Sequence, residues 1–70
     1  MIKVNHNLKV FRIKAGLTQL ELAQKLGLKE RVITFWETGR SEPKIEQAVD
    51  VARILGADAA EIFPEMFKGV

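Results

Sequence analysis

Few side chains in this sequence are of the kinds that make or break covalent bonds. It has no Cys, one His and one Ser in 70 residues, which removes disulfides, thiolate nucleophiles and zinc ribbons; His6 alone has no partner ligands for a metal. Glu46 and Asp50 are four apart and share a helix face, but no base, nucleophile or pocket-forming partner accompanies them. The chemistry on offer is charge and hydrogen bonding, and it gathers in one stretch: Lys29, Glu30, Arg31, Thr34, Thr38, Arg40, Ser41 and Lys44. Residues 1–41 hold eight Lys/Arg against three Asp/Glu, whereas residues 42–70 hold three against six. That asymmetry fits a polyanion met by one face, with a mixed, solvated surface as the plainer alternative.

The frame for these side chains is one small domain. A chain of 70 residues buries only roughly 60% of the surface its unfolded form exposes, so a deep substrate cavity is not expected and neither is an enzyme. No apolar run approaches the roughly 20 residues that span a bilayer. The opening MIKVNHNLKV lacks the apolar region of a secretory signal. A soluble, cytoplasmic protein that needs no cofactor is the expectation.

Gly16, Gly27, Gly39 and Gly56 each close a stretch with helical spacing of apolar residues, which predicts an all-α bundle of five short helices. The first begins near Asn7 as N-cap and carries Leu8, Phe11 and Ala15 on one stripe. The second starts with Thr18 as N-cap, Glu21 completing a capping box and Leu17 with Leu22 as a staple. The third covers about residues 29–38 and buries Val32, Ile33 and Trp36. In the fourth, Ile45, Ala48, Val51, Ala52 and Leu55 form the stripe. Asp58 and Glu61 make a second capping box for a fifth helix through Phe63, which Pro64 stops. Residues 1–6 read as an extended arm, 7–63 as the domain and 64–70 as a loose apolar tail.

The second and third helices carry the informative spacing. Ala23, Gly27 and Ile33 follow Gln19 at intervals of four, eight and fourteen. A small residue at 23 lets the next helix cross closely, Gly27 makes the turn, and Leu22, Leu26, Leu28, Ile33 and Trp36 fill the angle. This is helix-turn-helix spacing, in which the second helix of the pair is presented to the DNA major groove.

Through LTQLELAQKLGL, VITFWETGRSEP and VARILGADAAEIF, the sequence resembles the lambda-repressor-like, or xenobiotic-response-element type, helix-turn-helix proteins over about residues 7–63. The resemblance implies a five-helix bundle, commonly a homodimer, whose usual role is transcriptional regulation. It also implies that Arg12 pairs with Glu37, which would make Arg12 structural. Three positions depart from the family habit. Phe35 stands where a polar or small residue is usual, Glu30 where an amide or hydroxyl is, and Lys29 where a Ser or Thr caps the recognition helix.

Roles then follow by position. Glu30, Arg31, Thr34, Phe35 and Thr38 lie opposite Ile33 and Trp36, so Lys29, Glu30, Arg31, Thr34 and Phe35 are the expected base contacts. Arg31 leads them, because its planar fork can donate twice to guanine O6 and N7. Phe35 could touch a thymine methyl or pack inward or on a neighbouring chain. Glu30 could accept from cytosine or serve the helix dipole. Thr34 could bond a base, a phosphate or its own helix. Gln19, Thr38, Arg40, Ser41 and Lys44 are expected to hold phosphates, against ordinary loop polarity. Trp36 reads as core. Val49, Ile54, Met66, Phe67 and Val70 offer a two-fold contact, and a homodimer would match a palindromic double-stranded operator. The leading expectation is a sequence-specific DNA-binding regulator of the repressor kind. The alternative is an antitoxin-like or coactivator-like module of the same fold that binds protein through Phe35 and the apolar tail.

Overall fold

The computed structural model describes residues 5–68. Five helices follow one another: α1 (His6–Lys14), α2 (Gln19–Leu26), α3 (Glu30–Thr38), α4 (Ile45–Leu55) and α5 (Ala59–Ile62), with no strand among the described residues. The all-α, five-helix architecture read from the glycine punctuation is therefore the one observed.

Local sequence explains the element ends. The Thr18 hydroxyl accepts from the Glu21 amide at 3.0 Å while the Glu21 carboxylate accepts from the Thr18 amide at 2.9 Å, so the capping box of α2 is complete. The Thr18 amide bond, with the Thr18 hydroxyl beside it, holds the exposed Glu21 carboxyl below the usual carboxylate range. At the other end Gly27 takes a left-handed φ of 71°. Its amide bonds to the Gln24 carbonyl at 3.2 Å and the Leu28 amide to the Ala23 carbonyl at 2.9 Å, the paired bonds of a Schellman turn. This turn sets the angle between α2 and α3. A Cβ at position 27 would meet nothing within 4 Å, so only backbone strain opposes it. We expect Gly27→Ala to cost about 1 kcal/mol, read as a lower urea midpoint at unchanged m-value.

The core gathers one stripe from each helix. Leu8, Leu22, Ala23, Ile33, Trp36, Ala48, Val51, Ala52, Ile62 and Phe63 are buried, and Trp36 meets Phe63 edge-on with centroids 6.5 Å apart. Trp36 is thus a core residue.

Several local expectations give way. Asn5, not Asn7, caps α1: its side-chain oxygen accepts from the Leu8 amide at 2.9 Å. Asn7 instead bonds the Glu61 carbonyl at 3.1 Å, joining α1 to α5. Asn5 and His6, read as part of the arm, thus belong to the cap and first turn of α1, and residues 1–4 lie outside the described residues. Asp58 makes no side-chain cap bond; the Glu61 amide bonds the Asp58 carbonyl, so backbone starts a helix too short to need the box. Ile45 is 54% exposed, because α4 opens beyond the edge of the core, and Ala15 is exposed past the end of α1. Met66 and Phe67 are not loose: backbone bonds to Phe63 and Pro64 turn them back onto the core, where both are half-buried.

Candidate nucleic-acid interface

The α3 helix divides its residues by face. Ile33, Trp36 and Glu37 are buried, whereas Glu30, Arg31, Phe35 and Thr38 are exposed and Thr34 is half-buried between the two sets. Lys29 occupies the N-cap without a side-chain cap bond, which leaves its ammonium on a free stem beside the first turn. Arg31 is exposed and makes no hydrogen bond or ion pair with any described residue. Its five donors are available to a ligand. Phe35 is 36% exposed, and the Arg40 guanidinium lies 5.6 Å from its ring centroid. The stack covers part of the ring and holds Arg40 against the end of α3.

Behind this face runs a polar chain. Arg12 donates through Nε to Glu37 Oε2 at 2.7 Å and through Nη2 to Oε1 at 3.3 Å, while its Nη1 donates to the Leu17 carbonyl at 2.8 Å. Only 8% of Arg12 and 6% of Glu37 are exposed. Gln19 joins from the start of α2, its Nε2 donating to Glu37 Oε1 at 3.0 Å, and its Oε1 accepts from Thr34 Oγ1 at 2.9 Å. Thr38 Oγ1 donates to the Thr34 carbonyl at 2.8 Å. No buried side-chain nitrogen or oxygen among the described residues is left unpaired. The ion pair therefore ties α1 to the end of α3, and Gln19 ties both to the outward face.

Over the chain lies a shallow depression lined by Asn5, His6, Lys9, Gln19 and Thr38, where α1, the start of α2 and the end of α3 converge. Sequence spacing did not single out Lys9 or Asn5, because their neighbours here are brought in by tertiary packing. The Asn5 amide, which bonds the Glu37 carbonyl at 3.0 Å, gives no periodic signal. Ser41 and Lys44 follow α3; the Ser41 amide closes on the Phe35 carbonyl at 3.3 Å, and Lys44 is the exposed N-cap of α4. Acidic clusters able to hold a metal ion are missing among the described residues.

The sequence matches the helix-turn-helix family over residues 8–62. This chain belongs to that family, as a lambda-repressor-like domain. An uncharacterized HTH-type transcriptional regulator of Archaeoglobus fulgidus is 38% identical over 56 residues, covering 80% of each chain. A putative multi-protein-binding factor of Yarrowia lipolytica is 40% identical over 45 residues, which span 64% of this chain and 30% of that protein. Among solved structures, the restriction-modification controller protein C.AhdI of Aeromonas hydrophila superposes with a TM-score of 0.77 at 26% identity, over 89% of this chain and 94% of that one. A helix-turn-helix regulator binds DNA and is not an enzyme, so the depression needs no catalytic reading. No helix among the described residues is long and apolar enough to cross a membrane.

Proposed function

We propose that this helix-turn-helix regulator is a repressor that occupies a palindromic operator as a homodimer, with α3 in the major groove. The observation that carries the reading is the outward face of α3, where Arg31 stands with all its donors unspent. Lys29, Glu30, Arg31, Thr34 and Phe35 face base edges. Arg40, Ser41, Lys44 and the second amide hydrogen of Gln19 meet phosphates on either side, whereas the Thr38 hydroxyl spends its proton on the Thr34 carbonyl. For the dimer, Val49 and Ile45 lie one turn apart on α4 and are 41% and 54% exposed; Ile54, Met66 and Phe67 are half-buried and packed against the core, and Val70 lies outside the described residues. A two-fold contact there would set the recognition helices about 34 Å apart, one turn of duplex.

Selecting bound fragments from a random duplex library tests the reading directly, since a palindromic consensus reports readout and symmetry together. Salt adds an independent measure. Each phosphate neutralised by a cation contributes about 0.9 to the log-log slope, so Arg40→Ala is expected to flatten the slope by about 0.9 per bound subunit while leaving the consensus intact. An Arg40→Ala slope equal to that of the parent removes Arg40 from the phosphate contacts.

A second reading, a protein-interaction module, is favoured by the exposed Phe35 ring and by the name of the Yarrowia relative. Such an apolar interface would respond little to salt, whereas operator binding weakens steeply.

A further inference from the structure

Hydrogen-bond direction along the buried chain is fixed from its charged end. Glu37, paired with the Arg12 guanidinium, has no proton to give. Gln19, 3.0 Å from Glu37 Oε1, must therefore turn its amino end toward the carboxylate and its carbonyl end toward α3. That carbonyl can only accept, so the single hydroxyl proton of Thr34, 2.9 Å away, lies on it. The competing acceptor, the Glu30 carbonyl, is 3.5 Å off and does not draw the proton outward. Lone pairs are all that Thr34 Oγ1 has left for a ligand in front of α3.

From this we infer that Thr34 is a specificity residue of one sign: it accepts, and so selects an amino-bearing base, adenine through N6 or cytosine through N4, on the strand it faces. The inference rests on the DNA-binding reading above. Guanine and thymine present O6, N7 or O4 in the same region of the major groove, all acceptors, and would set lone pair against lone pair. A free threonine hydroxyl would accept either kind of partner. What makes this one selective is the ion pair behind it, acting through Gln19, which is a positioning residue.

The test compares duplexes selected from a random library by the parent, Thr34→Val, Thr34→Ser and Gln19→Leu. The parent is expected to enrich adenine or cytosine about fivefold at one position of each half-site, the worth of one net hydrogen bond. Thr34→Ser keeps that enrichment. Thr34→Val loses it, falling to within about twofold. Gln19→Leu releases the hydroxyl and admits guanine or thymine at the same position. Neither replacement at Thr34 touches a core atom, and thermal melts beside the parent confirm that readout alone has changed. A preference kept by Thr34→Val and lost by Thr34→Ser would mean that the methyl group reads the base, and would overturn the inference. So would a Gln19→Leu consensus identical to that of the parent. If the parent enriches no duplex even at low salt, the DNA-binding reading fails first and takes this one with it.

Discussion

Arg12→Ala is expected to lower unfolding stability by about 3–5 kcal/mol, the cost of leaving a buried carboxylate without its counter-charge. A 70-residue domain has roughly 4–10 kcal/mol in all, so a large share of its stability is lost, and at the low end of that range much of the population unfolds and binding falls with it. The size of the effect follows from the surroundings. Arg12 and Glu37 are both buried, their contact is two-pronged, and the third nitrogen of the guanidinium holds the Leu17 carbonyl at the turn before α2. Removing Arg12 thus strands a charge and an acceptor at once. Replacing both partners by apolar residues, Arg12→Met with Glu37→Leu, is expected to recover most of the loss, because no isolated charge remains. Urea unfolding of Arg12→Ala and of the double variant beside the parent measures this. An Arg12→Ala protein that melts with the parent yet no longer binds DNA would show that the pair serves the interface and not the fold.

The part of this architecture that was legible in the sequence is the part set by neighbours along the chain. Thr18 with Glu21, and Gly27 after the α2 stripe, are contacts of three or four residues, and their chemistry leaves few alternatives. Lys29 was legible in the same way, as a cap without an acceptor. Where sequence reasoning failed, a competing partner sat far away in the chain. Asn5 and Asn7 both fit an N-cap by type. The choice fell to Asn5 because the amide of Asn7 is held by the Glu61 carbonyl across the bundle, while Asn5 reaches back to both Leu8 and the Ile62 carbonyl. Ile45 fits the α4 stripe by spacing, but the stripe extends beyond the core that could cover it. At the interface, the outward face of α3 follows from periodicity alone. The bonds of Gln19 to Glu37 and Thr34 span 18 and 15 residues, and no spacing rule carries a hydrogen-bond direction over such distances.

Arg31→Ala is expected to leave the fold intact and to strip the operator of one specified base pair in each half-site. The side chain is exposed, packs on nothing in the core and pairs with no described residue, so its loss costs the bundle little. In the groove, a bidentate contact to guanine is worth about 1–3 kcal/mol of discrimination, and a dimer on a palindrome makes it twice, which sums to about 2–6 kcal/mol. That is the largest effect on binding expected from one substitution. Affinity for the selected operator should fall toward the non-specific level, with non-specific affinity reduced only by the lost charge. Arg31→Lys separates charge from geometry, because a lysine restores the cation without the fork. It should recover the salt slope but not the guanine. Competition of the selected operator against a duplex altered at that one position gives the number. If Arg31→Ala discriminates between the two as well as the parent does, the guanine is read by another side chain, and Lys29, the exposed cation at the head of the same helix, is the one whose position allows it.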